Sequence, residues 1–321
     1  MFSTDVAYGG LGGVRDVGNG EIALAGVTGD VTKALLYWQG PTHLADDAAG
    51  PLTITFDGQS VTGSQIGASS DNCWGYANSR AYRADVTSLV DGNGTYPIAN
   101  LVQDSVNVNG VSLVVFFDDG NEENDRDIVL FDGNDSNIEN GYDALGWNVS
   151  LAGIEYEEGD AALDLHVGDG QQFPDDALVV NGTTIVESGP VFDGGTVPNG
   201  PSASATNGGL WDIRSFDVTS LLTPGTNSLE LTSGQVSDCL SLVLAAVNLP
   251  AGAAPDQPPP PPPPPPGCEE DGLASVPAAG VASGAVHGLE PQLGPLGEPV
   301  HGLNCDVVVP LEDQVDAALE Q

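Results

Sequence analysis

Hydrophobic and polar residues alternate with a period of two over many short stretches of the chain. Within 52–56 the apolar residues are separated by threonines, and this alternation predicts a strand with one buried face. The run 111–117 is apolar at nearly every position and predicts a central strand that is covered on both faces. Such stretches predict strands at 22–25, 33–38, 52–56, 82–87, 96–101 and 111–117, and again at 128–131, 163–167, 177–180, 213–218, 228–231 and 240–247.

A nine-residue motif occurs twice. Residues 82–90, with the sequence YRADVTSLV, return 132 positions later at 214–222 as RSFDVTSLL. We expect Thr87 and Thr219 to cap the turn that follows the strand in each copy. Other landmarks, among them Asx-Gly hairpin turns, recur in the same order at offsets of 124 to 129 residues. Internal duplication explains this order, and an all-β chain that reuses common turns is the alternative.

These patterns predict an all-β protein of two tandem jelly-roll-like β-sandwiches. The lead-in carries no motif that points to chemistry, and we expect it to be loose chain or a short edge strand. The expected order is a glycine-rich lead-in at 1–20, a first sandwich at 21–122, a second sandwich at 123–250, a proline-rich linker at 251–267 and a short repeat-containing tail at 268–321.

The end of the chain has a different composition. The prolines at 258–266 predict a polyproline II spacer of roughly 28 Å. Beyond them a Val-His-Gly-Leu unit occurs twice, and Leu311, Val315 and Leu319 lie on one helical stripe. We expect the tail to dock a partner through these apolar features, and a terminus without fixed structure is the alternative.

Part of the chain resembles known families. The motif DVTSL at 217–221, followed by GTN at 225–227 and a strand, is similar to the jelly-roll sugar-binding modules that accompany glycosidases. From 21 to 249 the order of elements resembles an uncharacterised family of large β-sandwich domains on bacterial and archaeal secreted or surface proteins. The resemblance implies an all-β, extracellular, non-enzymatic protein and assigns no site residue.

The charge balance limits the partners. The chain has 46 Asp and Glu residues against 6 Lys and Arg residues, which gives a formal net charge of −40. Such a charge excludes nucleic acids and anionic membranes as partners, and no apolar run is long enough to insert into a bilayer. We expect the partner to be a glycan or a protein of a cell surface or wall.

One acidic stretch suggests a cation site. The residues 118–127 hold six carboxylates, and further acids follow one strand later. Calcium takes six to eight oxygen ligands, so we expect calcium as a stabilising ion. A solvated acidic loop is the alternative. The expected calcium ligands are Asp118, Asp119, Glu123, Asp125 and Asp132.

Aromatic residues in or beside predicted loops are the candidate ligand contacts. We expect a sugar ring to stack on Trp74, Tyr76, Trp147 and Trp211. Burial in the core is the more frequent role of such side chains and is the alternative.

The sequence is poor in catalytic signals. His43 lies in a predicted loop, His166 is expected on a solvent face together with Asp164, and His287 and His301 are in the tail. These histidines lack metal-ligand spacing, and there is no Gly-x-Ser-x-Gly motif. We expect no catalytic residue and no enzymatic activity, although a carbohydrate-active enzyme stays open as an alternative.

The four cysteines suggest an oxidising compartment. We expect disulfides between Cys73 and Cys239 and between Cys268 and Cys305, and crossed or reduced cysteines are the alternatives. With the proline run and the single lysine, the cysteines favour an extracellular or cell-surface location. The first residues have no basic segment before an apolar one, so we expect any secretion signal to be absent or removed.

Taken together, these features favour a secreted or surface protein for adhesion or ligand binding, with carbohydrate as the ligand. A structural subunit of an extracellular assembly is the first alternative.

Overall fold

The structure is a computed structural model, and it describes residues 1–45, 50–103, 105–142, 144–205, 207–233 and 238–252. All of these belong to one compact unit, Met1–Pro255. Apart from Ala251 and Gly252, the expected linker and tail lie outside the described residues, and so do Cys268 and Cys305. No helix of the described part is both long and apolar enough to cross a bilayer.

Eight strands form the first half of this unit, and they close into a barrel with the order β1-β2-β7-β4-β5-β6-β3-β8. The strand β8 pairs with both β1 and β3, and its two faces are buried, as the apolar run at 111–117 predicted. The strands are β1 Asp5–Leu11, β2 Gly20–Leu24, β3 Asp30–Thr42, β4 Leu52–Phe56, β5 Gln59–Ser69, β6 Asn78–Asp85, β7 Gly94–Ala99 and β8 Gly110–Asp118.

Eight further strands form the second half, in two four-stranded sheets with the orders β10-β15-β12-β13 and β14-β11-β16-β9. The strands are β9 Arg126–Ser136, β10 Trp147–Tyr156, β11 Ala162–Gly168, β12 Leu178–Val180, β13 Thr183–Val186, β14 Trp211–Asp217, β15 Gly225–Ser233 and β16 Ser241–Pro250. The described chain is therefore all-β, as expected.

The strand order of the second half is that of the first with eight added to each number. The first half contains the neighbours β2-β7-β4-β5 and β6-β3-β8-β1, and the second half contains β10-β15-β12-β13 and β14-β11-β16-β9. The first half closes because β5 pairs with β6 and β1 pairs with β2. In the second half β13 and β14 belong to different sheets, and so do β9 and β10.

The repeated motif accepts equivalent backbone N–H groups in both halves. Each copy ends a strand and enters a 3₁₀ turn, Thr87–Leu89 in one and Thr219–Leu221 in the other. The hydroxyl of Thr87 accepts the N–H of Ala34 at 3.0 Å, and the hydroxyl of Thr219 accepts that of Ala161 at 2.9 Å. The threonines therefore do not cap these two turns as expected: neither turn has a side-chain cap bond, and each hydroxyl accepts an N–H of a neighbouring chain segment.

An aspartate supports each turn instead. Asp85 accepts a hydrogen bond from the N–H of Thr87, and Asp217 accepts one from the N–H of Thr219. Hydrogen bonds from Lys33 and Thr87 lower the pKa of Asp85 to about 2. The bonds from Thr219 also lower the pKa of Asp217.

Alternation along two strands divides the apolar residues among three cores. Leu113, Val115 and Phe117 of β8 face the barrel interior, and β16 sends Ala245 and Val247 into the core of the second half. The other faces of β8 and β16 meet in a third cluster, which we call the junction. The buried junction residues are Tyr37, Ala81, Val114, Phe116, Ile128, Val197, Trp211, Val243, Leu244 and Ala246.

The glycine-rich start is not a loose lead-in. It forms β1, a strand of the barrel wall that pairs with β2 and β8. A Cβ on Gly10 would lie 2.7 Å from Val197, and one on Gly12 would lie 2.5 Å from the carbonyl oxygen of Gly209. The glycines are needed because the second half approaches this backbone closely.

Three strands, β5, β10 and β13, were not predicted, and β1 was expected only as a short edge strand, the alternative to loose chain. Gly153 in β10 has a positive φ of 76° at a bulge, which interrupts the alternation. The burial along β5 also departs from a period of two, so a pattern search for one buried face does not detect it.

Candidate functional site

A buried carboxylate lies at one end of the junction. Asp169 follows β11 directly and is fully buried, with a left-handed φ of 71°. It accepts hydrogen bonds from Arg15 Nη2 at 2.9 Å and from Asn109 Nδ2 at 3.3 Å. The indole Nε1 of Trp74 donates to both of its oxygens, at 2.9 and 2.7 Å. Residues far apart in sequence therefore converge on one carboxyl group.

The partner of this carboxylate is a buried arginine. The side chain of Arg15 is 7% exposed, and its Nε donates to Asn109 Oδ1 at 3.0 Å. Its guanidinium carbon lies 3.7 Å from the ring centroid of Trp74, a cation–π contact. Arg15 Nη1 is buried without a hydrogen-bond partner among the described residues, and so is Gln39 Nε2. We call Arg15, Gln39, Trp74, Asn109 and Asp169 the junction site.

Burial controls the charge of the site. It raises the pKa of the Asp169 carboxyl to about 7, although Arg15 and the Trp74 indole both favour the ionised form. Burial also lowers the pKa of Arg15, which the neighbouring Asp169 opposes. The Asp169 carboxyl therefore holds its proton more readily than an exposed aspartate does, and such perturbed pKa values are common at functional sites.

Three further aspartates are buried close by. Burial raises the pKa of Asp175 and Asp238 to about 7 each, and it also raises that of Asp212. Asp238 accepts the N–H of Gln171, and Asp212 accepts the N–H of Gly194. One oxygen of Asp175 accepts the N–H of Phe192, and the other is buried without a partner in the described part.

Backbone strain gathers around the same residues. Asp169 has a left-handed φ, and its N–H donates to the carbonyl of Leu210, whose φ is 60°. Asp16, Asn72 and Cys73, which adjoin Arg15 and Trp74, have φ values of 62°, 53° and 68°. Such conformations cost about 1–3 kcal/mol each in residues with a side chain and concentrate at functional sites. Their position here supports a functional role for the junction site.

A second pair of aromatic rings lies near Arg15, on which Tyr76 acts electrostatically. The rings of Tyr76 and His43 stack with centroids 4.2 Å apart and planes within 11°. Tyr76 is half-buried and His43 is exposed. The carboxylate of Asp71 accepts the N–H of Tyr76 at 2.8 Å, which holds the loop between β5 and β6 in shape. Trp74 and Tyr76, two of the four expected ligand contacts, thus lie beside the junction site.

The other two expected contacts are core residues. Trp147 is 2% exposed and donates to the carbonyl of Asp135, and Trp211 is fully buried and donates to the hydroxyl of Ser112. Burial, the alternative, holds for both, because their large rings fill the second core and the junction. They are not available for stacking on a sugar.

The expected calcium ligands do not meet at one point. Asp118 and Asp119 accept backbone N–H groups of their own loop between β8 and β9. Glu123 and Asp125 belong to the same loop, where burial and nearby acids raise the pKa of Asp125. Asp132 lies six residues beyond Arg126 along β9, roughly 20 Å away at strand spacing.

Asp132 has other partners. It contacts Arg83 at 2.6 Å and the hydroxyl of Tyr37 at 3.1 Å. Asp5, which was not among the expected ligands, lies beside the acidic loop instead. Its pKa is raised by burial and by Asp119, and it accepts a hydrogen bond from Asn124 at 2.7 Å. Within the described ranges, no three His, Cys, Asp or Glu side chains are arranged to hold a metal ion.

His166 and Asp164 do not face solvent, contrary to expectation. His166 is fully buried, and burial lowers its pKa to about 3. Its Nδ1 lies 2.8 Å from the hydroxyl of Ser112, and the Tyr8 ring packs edge-on against it. Both faces of β11 are covered because its outer face is part of the junction.

The predicted disulfide between Cys73 and Cys239 is confirmed. It joins residues 166 positions apart and links the two halves beside the junction site. A disulfide is typical of proteins that fold in an oxidising environment.

Sequence patterns missed Arg15, Asn109 and Asp169. Arg15 lies in the stretch that was expected to carry no chemistry. One signal in the sequence pointed to Arg15. The chain has only 6 basic residues and a net charge of −40, so each cation has many acids to pair with. A basic residue in a glycine-rich segment is therefore a candidate for an ion pair.

Comparisons with solved structures give only slight likenesses. A peptide-N(4)-(N-acetyl-β-D-glucosaminyl) asparagine amidase is 12% identical, covers 74% of this chain and 90% of its own, and has a TM-score of 0.31. A recombinant peptide:N-glycanase F is 10% identical over the same shares, with a TM-score of 0.26. Likenesses this slight establish neither a shared fold nor a shared function. No curated protein matches the chain in sequence.

A family match covers most of the chain. Residues 3–249 match DUF3344, described as a protein of unknown function. This agrees with the expected uncharacterised family, whereas none of the comparisons supports the likeness of 217–221 to sugar-binding modules. The match runs from before β1 almost to the end of β16, so both halves and the junction site lie within it. The chain belongs to the DUF3344 family.

Proposed function

We propose that the chain is a secreted or cell-surface protein that binds a carbohydrate or a similar polar ligand at the junction site, in adhesion. Trp74 carries the proposal. It is the one tryptophan of the four that is not fully buried, and a buried arginine and aspartate hold it in place. With Tyr76 and the exposed His43 it presents aromatic rings beside polar groups, the combination that sugar rings require.

A glycan array tests this proposal. We expect the full chain to bind a defined set of glycans, and Trp74→Ala and Tyr76→Ala to lose that binding. Tyr142→Ala is the matched control, because Tyr142 is 45% exposed and lies outside the junction site. Binding that survives both site substitutions would place the ligand elsewhere, and an array without any bound glycan would remove carbohydrate as the ligand class.

Calcium as a stabilising ion is the second part of the proposal. The ion would draw on the acidic loop 118–127 and on Asp5 beside it, and binding would require these carboxylates to move together, because they do not converge in the present arrangement. Asp5 Oδ2 is buried without a partner among the described residues, which supports its inclusion. Calcium at a hundred times its dissociation constant should raise the free energy of unfolding by about 2.7 kcal/mol.

Thermal unfolding in millimolar calcium and in chelator, at fixed ionic strength, measures this effect. Asp5→Asn should reduce the stabilisation, whereas Asp132→Asn should leave it unchanged. A melting temperature that is the same with calcium and with chelator would identify 118–127 as a solvated acidic loop.

A carbohydrate-active enzyme is a second candidate, favoured by one observation. The pKa of the Asp169 carboxyl, raised to about 7 by burial, suits a general acid or base. Turnover of a polysaccharide panel that is lost in Asp169→Asn while glycan binding persists would favour the enzyme. Binding without turnover in the native chain would favour the adhesion protein.

The matching strand orders also support an origin of the two halves by internal duplication of a jelly-roll-like sandwich. The equal contacts of Thr87 and Thr219 agree with it. A strand-by-strand superposition of β1–β8 on β9–β16 tests this origin, and equivalent strands that fail to superpose would contradict it.

A further inference from the structure

Three consecutive residues of the first half each bind the second half. The side-chain amide of Asn72 donates to the Ser241 hydroxyl at 2.9 Å, and Asn72 Oδ1 accepts from Ser241 at 3.1 Å. Cys73 forms the disulfide with Cys239. Trp74 donates to Asp169. We call residues 71–76, which lie between β5 and β6, the clasp loop.

The backbone of the clasp loop adopts a conformation that is unfavourable for residues with a side chain. Asn72 and Cys73 have left-handed φ values of 53° and 68°, and Gly75 follows with 78°. Residues with a Cβ avoid this region. Within the loop, Asp71 accepts the N–H groups of Gly75 and Tyr76. The contacts with Ser241, Cys239 and Asp169 therefore help to hold the loop in a conformation that it would otherwise leave.

The clasp loop covers the charged pair of the junction site. The Trp74 ring lies 3.7 Å over the Arg15 guanidinium, and Asp169 beneath it is fully buried. Arg15 Nη1, which has no partner in the described part of the chain, is buried with them. Trp74 is itself half-buried, so a movement of the clasp loop that displaced its ring would expose this donor and the Asp169 carboxyl.

The two sulfur positions differ in access. Cys73 is exposed, whereas Cys239 is 5% exposed. A thiolate from solution therefore meets the disulfide from the side of Cys73. The covalent tie of the clasp loop is thus within reach of reductants, while the junction core beneath it is not.

We propose that the Cys73–Cys239 disulfide is a reducible latch: a dithiol reductant opens it, the clasp loop releases, and Arg15 and Asp169 become accessible to ligand. A thiolate of the dithiol attacks Cys73 Sγ, the S–S bond breaks, and Cys239 leaves as a thiolate that takes up a proton. The second thiol of the reductant then attacks its own sulfur in the mixed disulfide and frees Cys73. The protein gains two electrons, and the dithiol becomes a disulfide.

Tryptophan fluorescence tests the latch without any ligand. The full chain is used with Cys268→Ser and Cys305→Ser, so that Cys73–Cys239 is the only disulfide that can form. Because the other three tryptophans are at most 2% exposed, acrylamide quenching reports Trp74. Reduction should increase quenching and shift the emission to the red, with loss of hydrogen-exchange protection confined to 71–76.

The matched control is the same chain with Cys73→Ser and Cys239→Ser. It should show the released signal from the start and give no response to the dithiol. Unchanged quenching after complete reduction would overturn the latch, because the loop would then stay closed without its tie. Loss of the far-ultraviolet β signal on reduction would also overturn it, because the disulfide would then be a staple of the whole fold.

The latch rests on the proposed function only for its ligand step. If glycans bind to neither the oxidised nor the reduced chain while the fluorescence responds as expected, the proposed function fails and the latch stands. If glycans bound the oxidised and the reduced chain equally, and Trp74→Ala abolished both, reduction would not control ligand access and the latch would be overturned.

Discussion

The two halves share one strand order and differ in closure. The first half is a closed barrel, whereas the second half is open between β13 and β14 and between β9 and β10. The connection from β5 to β6 covers only 70–77, but the connection from β13 to β14 covers 187–210. The open half therefore has a long segment available for contacts beyond its own sheets.

That segment builds the junction. Val197 belongs to the junction cluster, and Phe192 belongs to the core of the second half. Gly194 and Thr196 hold Asp212, and Gly209 approaches Gly12 of the first half. The open half thus contributes chain that covers its neighbour. Because the second half has open sheet edges and the first has none, we expect the second half to depend more on the junction than the first half does.

The largest expected effect comes from removing the central junction ring. Trp211→Ala should lower the free energy of unfolding by about 3–5 kcal/mol, because a fully buried indole leaves a cavity and the Ser112 hydroxyl loses its donor. Differential scanning calorimetry should show one transition in the native chain and two in the variant, with the second half unfolding first.

Trp147→Ala is the control for this experiment. Trp147 packs only in the core of the second half, so its loss should destabilise that half without uncoupling the junction contacts. A single, unsplit transition in Trp211→Ala would contradict the dependence of the second half on the first.

A medium effect is expected from pH, with opposite signs in the two halves. Asp175 in the second half has a pKa of about 7, against an ordinary value of 3.8. Between these values the folded state holds a proton that the unfolded state lacks, so stability falls as pH rises from about 4 to 7, by about 1.4 kcal/mol per pH unit for one such group. Asp169 and Asp238 act in the same direction, so urea denaturation of Asp175→Asn should show a smaller slope, reduced by the share of one group.

Asp85 in the first half provides the contrast. Its folded pKa of about 2 lies below the ordinary 3.8, so its contribution is present above pH 4 and is lost as pH falls toward 2. Asp85→Asn should therefore remove this dependence on pH below about 4 and lower the stability by a constant amount at higher pH. His166, with a pKa lowered to about 3, opposes the Asp175 slope below about pH 6.5, so the variants must be compared with the native chain. An unchanged slope in Asp175→Asn would refute the assignment.

The smallest effect tests the equivalence of the halves. Thr87→Val leaves the N–H of Ala34 without its acceptor, and Thr219→Val does the same to Ala161. Each substitution should cost about 1–2 kcal/mol by chemical denaturation, because a partly buried donor loses its partner. Losses that differ by much more than the error of the measurement would show that the repeated motif has different roles in the two halves.

Much of the fold followed from local pattern. The alternation in 52–56 predicted β4 with its bounds, and the two-faced run at 111–117 predicted the central position of β8. The pairing of Cys73 with Cys239 was also predicted. The start of the chain was expected to be loose chain or a short edge strand, because its glycines do not reveal the close approach of Val197 and Gly209.

The site was predicted only in part. Trp74 and Tyr76 were selected as loop aromatics, and they lie beside the junction site. Trp147 was selected by the same rule and is buried, because a sequence does not show which side of a loop or strand end meets the core.

By itself the sequence determined the all-β class, the repeated turn motif and the acidic character, because strand alternation, turn chemistry and net charge are properties of neighbouring residues or of simple sums. It also indicated that β8 is covered on both faces. Only the tertiary structure decided what covers it and which polar groups meet there. Arg15 and Asp169 are 154 positions apart, and their ion pair exists because a glycine-rich strand exit, a disulfide-linked loop and the open edge of the second half are brought to one place by packing.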